Sequence, residues 1–167
     1  MDDFSINQWL IVLVIVWVLY RLLKTRFGTH SDKQKQSIKR PSEQPSIHWE
    51  SLGEFEFEVV GESFYQSALG ALASPYDEIN LKKAIFKALL VPDNNNKYDK
   101  LAVRVDINGL TVGHLSKDDA RSFRKRLSSK KLSKSITSCD AQITGGFVLK
   151  NGERAHFGVI LDLKPFN

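Results

Sequence analysis

The sequence has little of what disulfide scaffolds, metal centres and nucleotide-hydrolysing enzymes require. Its 167 residues include one cysteine, Cys139, and four scattered histidines. No internal disulfide can form, and a four-ligand zinc cluster lacks its ligands. No glycine-rich stretch ends in Gly-Lys-Ser or Gly-Lys-Thr, so a phosphate-binding loop is also missing. We therefore expect a reducing compartment, no metal and no cofactor.

A catalytic arrangement is equally hard to find. The run that begins at Gly61 resembles a nucleophile elbow, but Tyr65 stands where the second glycine is needed. His114 and His156 each stand alone on predicted strands, without a cysteine or paired carboxylates nearby. A nuclease would need a cluster of metal-binding carboxylates, which the pattern does not offer. The sequence predicts that the protein is not an enzyme.

Long apolar runs are confined to the beginning of the chain. Residues 9–20 are twelve consecutive apolar or aromatic residues. The stretch 4–23 would extend over roughly 30 Å as a helix, the thickness of a bilayer core. Asp2 and Asp3 exclude a cleaved signal peptide. This predicts a single-pass transmembrane helix over 4–23, although a buried element of the globular domain is an alternative.

Basic residues follow this run and favour one orientation in the membrane. Residues 21–50 carry seven basic and three acidic side chains. The bias of Lys and Arg toward the cytoplasmic side places the C-terminal domain in the cytoplasm, at the cell membrane. Residues 24–50 are rich in Lys, Gln, Ser and Pro, which predicts a flexible basic linker that can contact anionic lipid. A single domain is expected over 51–167.

Strands dominate the pattern of that domain. Residues 54–60 alternate acidic with aromatic or aliphatic side chains, which predicts a strand with Phe55, Phe57 and Val59 facing inward. Asn108-Gly109 predicts a two-residue hairpin turn between two strands. The further predicted strands cover 84–91, 101–107, 110–115, 138–149 and 156–163.

Two short helices complete the prediction of a mainly β, α+β domain. The first covers 63–73 and stops at Ser74-Pro75. The second starts at Ser116, where a serine cap and Asp119 three residues later favour helix initiation. Ala120, Phe123 and Leu127 would form its inner face, so its basic residues lie outside. Residues 102–135 carry nine basic and three acidic side chains, which makes this region strongly positive.

Aromatic and basic residues together form a candidate recognition surface. Phe64 and Tyr65 follow a predicted strand, residues 94–99 form a polar loop, and residues 116–134 are basic. Aromatic rings stack on exposed bases and cations neutralise phosphates, as a single-strand site requires. The alternative is that the rings belong to the core and the cations lie on a solvated helix face.

Three segments resemble the HIRAN domain in order and spacing. They are VVGESFYQSALGAL, LLVPDNNNKYDKLAVRV and INGLTVGHLSKDDA, and the similarity covers about residues 54–163. The resemblance implies a modified OB-like β-barrel with accompanying helices. Members attached to replication-fork remodelling helicases bind the 3′ end of single-stranded DNA, so the resemblance also implies that ligand.

Matched position by position, the resemblance implies a set of nucleic-acid-binding residues. Its aromatic pair corresponds to Phe64 and Tyr65, its Tyr-Asp loop to Tyr98 and Asp99, and its positions near the phosphate path to His114 and Lys117. Beside these matched positions, we expect Asn95 and Asn96 to complete the pocket wall and the basic helix, with Arg121 and Arg124, to extend the phosphate path. A carboxylate at Asp99 can accept a hydrogen bond from a free 3′-hydroxyl but repels phosphate. The chain departs from the family pattern at Ser63, Lys97 and Leu101.

The sequence thus predicts a non-enzymatic, membrane-tethered module that binds single-stranded DNA with a free 3′-hydroxyl end. The alternative is a membrane-anchored scaffold in which the barrel binds an unidentified protein partner.

Overall fold

The computed structural model of the chain describes residues 44–166. The predicted transmembrane helix over 4–23 and residues 24–43 of the predicted linker lie outside the described residues. Between residues 44 and 166, no helix has the length and apolar character that crossing a membrane requires.

The described region is mainly β. Its strands are β1 (Ile47–His48), β2 (Phe57–Glu58), β3 (Phe86–Pro92), β4 (Val103–Ile107), β5 (Leu110–His114), β6 (Thr137–Thr144) and β7 (Gly158–Asp162). Its helices are a 3₁₀ turn (Glu62–Tyr65), α1 (Gln66–Ala73), α2 (Glu78–Lys83) and α3 (Lys117–Ser129).

The strands form one sheet that closes on itself. The order is β2-β7-β6-β3-β4-β5, all antiparallel, and β1 pairs with β6 in parallel. Val60 and His114 exchange two backbone hydrogen bonds of 2.8 and 2.9 Å, which join the chain after β2 to the far edge strand β5. This contact fits the predicted OB-like barrel and covers the edge of β5 at His114.

The hairpin turn and the alternating strand were predicted from local chemistry, and both are present. Asn108 and Gly109 have φ of 49° and 77°, as a two-residue turn with both central residues left-handed requires. Along 54–60, Val59 is buried and Phe57 half-buried while the glutamates between them are exposed. Regular pairing is limited to Phe57–Glu58, because Phe55 has a φ of 46° and interrupts the extended chain.

Helix α3 begins as predicted. The Ser116 hydroxyl accepts a 3.2 Å hydrogen bond from the backbone N–H of Asp119, which satisfies one free donor of the first turn. Ala120, Phe123 and Leu127 are buried against the barrel. Packing of this face fixes the outward direction of the basic side chains.

The prediction of two helices was wrong, because α2 is a third. The Asp77 carboxylate accepts a 2.8 Å hydrogen bond from the backbone N–H of Asn80, and Lys82 bridges Glu78 at 3.0 Å. Six residues are too few to display a helical apolar period, and Leu81 is the one buried side chain in this helix. The cap at Asp77 was the available sequence signal.

Residues 47–50, predicted to be the end of the linker, belong to the domain. Ile47 and His48 pair with Thr137 and Ser138. Trp49 donates a 2.9 Å hydrogen bond from its indole nitrogen to the Thr137 hydroxyl, and its ring packs edge-on against the core. The polar composition of the preceding stretch indicated a linker. The sequence did not indicate the pairing of this segment, because its partners lie about ninety residues away in the chain.

The last two predicted strands are shorter than expected. Regular pairing ends at Thr144 and resumes at Gly158. The intervening residues 145–157 form an arm in which Val148 and Arg154 make an isolated antiparallel bridge. Gly152, with a φ of 82°, lies at the turn of this arm.

Gly113 permits the close approach that shuts the barrel. A Cβ added there would lie 2.4 Å from Cγ1 of Val59 and 2.8 Å from the carbonyl oxygen of Val60. Any larger residue would push the closing segment away from β5. The glycine of the Val-Gly-His-Leu motif is therefore explained by packing.

A buried carboxylate fastens the chain before β2 to the barrel. Asp162, fully buried on β7, accepts hydrogen bonds at one oxygen from the Ser51 hydroxyl (2.5 Å) and from the backbone N–H groups of Leu52 (2.8 Å) and Gly53 (2.7 Å). Burial by itself would raise the pKa of this carboxyl. The hydrogen bonds lower the pKa by more than burial raises it, so the pKa lies below the ordinary aspartate value.

Candidate nucleic-acid interface

A groove of about 600 Å³ opens beside the closure of the barrel. Its walls come from the segment 60–65, the loop 96–102 and the start of α3. Its lining residues are Val60, Gly61, Phe64, Tyr65, Asn96, Tyr98, Asp99, Ala102, His114, Leu115, Lys117 and Ala120. Seven of the ten predicted site residues are among them, although they come from separate parts of the chain.

The aromatic side chains of the groove have two different roles. Phe64 is 61% exposed and Tyr98 is 91% exposed, so both rings are free to stack on a planar ligand. Tyr65 is only 7% exposed, and its ring lies 6.1 Å from the ring of His114. Tyr65 and His114 therefore support the groove from inside, while Phe64 and Tyr98 stand at its mouth.

The loop that carries Tyr98 holds its shape through Asn96. The side-chain oxygen of Asn96 accepts hydrogen bonds from the backbone N–H groups of Tyr98 (3.0 Å) and Asp99 (3.2 Å), while its amide nitrogen donates to Asp93 (3.2 Å). Such asparagine turns fix backbone that has no sheet partner. Asn96 thus shapes the loop as well as lining the groove. Asn95 is exposed and does not line it.

Asp99 offers one carboxylate oxygen to the groove. Its Oδ1 accepts a 2.8 Å hydrogen bond from the backbone N–H of Leu101, and its carbonyl accepts one from Ala102. Within residues 44–166, no protein donor bonds to Oδ2. The side chain is half-buried, so Oδ2 keeps the capacity to accept a hydrogen bond from a ligand hydroxyl.

Positive charge enters the groove at the beginning of α3. Lys117 is exposed and is the first residue of that helix. The partial positive charge of the helix N-terminus lies in the same place, which favours anionic groups such as phosphate. Asp118 and Asp119 in the same turn reduce this field. Lys117 is therefore the charged side chain of α3 that reaches the groove.

Arg121 and Arg124, predicted to extend a phosphate path, do not line the groove. Arg121 is exposed and bridges Asp118 at 3.1 Å. Arg124 donates to the Asn94 side chain and, at 3.4 Å, to the Ser133 carbonyl. Burial lowers the pKa of Arg124, against the raising effect of nearby Asp93 and Asp99. Arg124 therefore ties Asn94, just before the loop 96–102, to α3.

Several groove residues were missed by sequence reasoning. Val60, Gly61, Ala102, Leu115 and Ala120 are apolar or lack a side chain and carry no chemical signal of their own. They line the groove because the barrel closes there. Behind the groove, the Arg104 guanidinium forms an ion pair with Asp106 at 2.8 Å and lies opposite His114 in the sheet, so a buried charge pair supports the wall.

One set of side chains resembles a catalytic triad but cannot act as one. His48 lies 2.9 Å from the Ser138 hydroxyl and 3.5 Å from Asp140. Ser138 is fully buried, so no substrate carbonyl can reach its oxygen. Among the residues that the structure describes, no group of three or more His, Cys, Asp or Glu side chains could hold a metal ion.

Comparison with known proteins agrees with this geometry. The family model of the HIRAN domain matches residues 52–145, which include β2 to β6 and every lining residue of the groove. No curated protein and no solved structure matches the chain. The HIRAN domain is a nucleic-acid-binding module, and exposed rings with an adjacent helix N-terminus suit that role. Since the match covers more than half of the sequence, the chain belongs to the HIRAN domain family.

Proposed function

We propose that this protein is a non-enzymatic module that binds single-stranded DNA with a free 3′-hydroxyl end and is tethered to the inner face of the cell membrane. The observation that carries the proposal is the groove in which Phe64, Tyr98, Asp99 and Lys117 meet. The end of a DNA strand presents bases that can stack on the rings, a hydroxyl that can donate to the carboxylate, and a phosphate that attracts the cation.

The two exposed rings favour unpaired bases as ligands. A base stacked inside a duplex has no free face, whereas the last bases of a single strand can lie against Phe64 and Tyr98. Stacking does not distinguish one base from another, so we expect weak sequence preference. The groove volume of about 600 Å³ is within the range of small-molecule sites, which suits the end of a strand.

Asp99 supports selection of the terminal hydroxyl. A carboxylate repels phosphate, so it disfavours internal positions and ends capped by a 3′-phosphate. A free 3′-hydroxyl can instead donate a hydrogen bond to Oδ2. Lys117 and the N-terminus of α3 would then hold the phosphate of the preceding nucleotide. Ser63, which stands where some family members have an arginine, supplies no such charge.

The experiment is an anisotropy titration of the full chain in detergent with labelled oligonucleotides. The oligonucleotides end in a 3′-hydroxyl, in a 3′-phosphate or in a blunt duplex. We expect the 3′-hydroxyl strand to bind most tightly and its affinity to fall as salt rises, because phosphate contacts release counterions. Equal affinity for the two single strands would contradict end recognition.

Three variants and one control connect the titration to the groove. Phe64→Ala and Tyr98→Ala should each weaken binding by about 1–3 kcal/mol if the ring stacks on a base. Phe147→Ala, at a ring 43% exposed outside the groove, is the matched control and should leave affinity unchanged. Asp99→Asn should reduce the preference for the 3′-hydroxyl, because the repulsion of phosphate is lost.

A second candidate function is protein binding by the same barrel. The arm carries three consecutive exposed apolar residues, Phe147, Val148 and Leu149, and the first two line a separate groove of about 590 Å³. Exposed apolar runs of this kind are typical of interaction surfaces. A chain that binds no oligonucleotide at low salt, but whose binding to a protein partner is lost in Val148→Asp, would favour this function.

A further inference from the structure

Basic residues of α3 and its C-cap residue Lys130 project to opposite flanks of the helix. At 100° per residue, Arg124 projects to one side of the buried face formed by Ala120, Phe123 and Leu127, toward the groove, whereas Arg126 and Lys130 project to the other. Arg124 accordingly contacts the loop that borders the groove. Arg126 and Lys130 face a different part of the molecule.

On this second flank lies a cleft of about 440 Å³. Its lining residues are Trp49, Glu50, Leu52, Arg126, Lys130, Leu163, Lys164 and Pro165, and we call it the Trp49 cleft. Three of these residues are basic and one is acidic, so the cleft is positive. No residue of the Trp49 cleft lines the nucleic-acid groove.

The Trp49 ring is arranged differently from the rings of the groove. The guanidinium of Arg126 and the ammonium of Lys130 lie 5.9 and 6.0 Å from its centroid, as cation–π partners do. Its indole N–H already donates to Thr137. Cations over the ring hinder stacking of a base, but they leave positive charge beside an apolar surface.

The cations of the cleft differ in whether protein groups already occupy their hydrogen-bond donors. Arg126 donates to the carbonyl oxygens of Lys164 (3.0 Å) and Pro165 (2.6 Å), and so builds the wall. Across residues 44–166, no carboxylate pairs with the ammonium of Lys130 or Lys164. Seven basic residues and no acidic residue occur from Ala120 to Cys139, so little negative charge competes nearby.

The preceding chain enters the domain beside this cleft. The backbone N–H of Ser46 donates a 2.8 Å hydrogen bond to the carbonyl of Ile136, and β1 leads directly into Trp49. The sequence before residue 44 contains the apolar run 9–20 and the basic stretch that follows it. In the sequence, 28 residues separate that run from Trp49.

We propose that the Trp49 cleft binds the phosphate headgroup of an anionic lipid and thereby docks the domain on the bilayer. The inference rests on the proposed membrane tether for the closeness of lipid, but it does not depend on the nucleic-acid groove. Lys130 and Lys164 line the same cleft and attract the negatively charged phosphodiester of the headgroup, and Trp49 and Leu52 supply the apolar surface that interfacial side chains offer to lipid. The groove on the other flank stays open to DNA.

The experiment places an environment-sensitive dye in the cleft of the full chain. Leu52→Cys provides the attachment site, because the native Cys139 is buried and does not compete for the label. The labelled chain is reconstituted into nanodiscs of phosphatidylcholine alone or with added phosphatidylglycerol. We expect the dye to shift to an apolar spectrum only with phosphatidylglycerol, and a control dye at Asn95→Cys not to shift.

Paired charge variants test whether the cleft itself is responsible. Lys130→Gln with Lys164→Gln should lower the docking equilibrium about thirtyfold, from about 1 kcal/mol for each cation near an anionic surface. Lys117→Gln with Arg121→Gln removes the same charge from the other flank and should change docking much less.

Each other outcome overturns the proposal in a distinguishable way. An equal shift in both kinds of nanodisc, no shift, or an equal effect of the two double variants removes the headgroup site while leaving the tether intact. A shift produced by an oligonucleotide without lipid assigns the cleft to nucleic acid instead. Failure of the chain to co-elute with any nanodisc removes the tether and this inference together, whereas the oligonucleotide titration tests the groove separately.

Discussion

Replacing Asp162 by asparagine should weaken the folded domain substantially. The carboxylate is fully buried, and one of its oxygens accepts three hydrogen bonds of 2.5–2.8 Å from Ser51, Leu52 and Gly53. A hydrogen bond to a charged acceptor contributes about 1 kcal/mol more than a neutral one. Asp162→Asn should therefore lower the free energy of unfolding by about 3 kcal/mol.

The pH dependence of stability provides a second measure of the same site. Because the pKa of Asp162 is lowered in the folded state, its contribution is fully present above the ordinary aspartate pKa of about 4 and is lost as the pH falls through the folded value. The asparagine variant lacks this titration. Its stability should fall less steeply than that of the native chain on acidification below about pH 4.

The assay is urea unfolding of a fragment from residue 44 to 167, followed by the fluorescence of Trp49, which is the single tryptophan of that fragment. Asp140→Asn is the matched control, because Asp140 lies opposite Asp162 in the sheet but is partly exposed, with His48 at 3.5 Å. The control should cost less than about 1 kcal/mol. Equal losses in the two variants, or an unchanged acid dependence in Asp162→Asn, would refute the reasoning.

Three further predictions follow from particular contacts. Gly113→Ala should lower the free energy of unfolding by about 1–3 kcal/mol in the same assay, and Val59→Ala should partly restore it by removing the nearer clash. Arg124→Ala should weaken oligonucleotide binding roughly tenfold for 3′-hydroxyl and 3′-phosphate ends alike, because Arg124 holds Asn94 next to the loop. The slope of log affinity against log salt concentration should not change. A slope smaller by about one would instead make Arg124 a phosphate contact. Burial, with a smaller effect of the nearby carboxylates Asp140 and Asp162, raises the pKa of the Cys139 thiol to about 12. Cys139 should therefore react with thiol reagents only after unfolding.

The elements predicted correctly from the sequence are those whose determinants lie close together in the chain. The cap at Ser116 acts on Asp119, and the Asn108-Gly109 turn needs only the conformational freedom of its two residues. Helix α2 was missed, because six residues show too little periodicity, and β1 was assigned to a linker, because its partners Thr137 and Ser138 lie far along the chain.

The candidate site divides in the same way. The sequence indicated that aromatic, amide, acidic and basic residues stand at positions typical of a nucleic-acid-binding domain, and seven of the ten line one groove. It did not indicate that Tyr65 points inward while Phe64 points outward, because both are aromatic neighbours in a turn. Nor did it indicate that Arg124 is engaged with Asn94 rather than exposed along the helix.

By itself the sequence determined the local elements and the chemical types of residue available, since hydrogen-bonding caps, turn conformations and apolar periods act over a few positions. Only the tertiary structure decided which of those residues share a surface. Closure of the barrel through Val60, Gly113 and His114 builds the groove, and the packing of α3 sends its cations to two separate flanks. Those outcomes depend on contacts between distant segments, which no local pattern specifies.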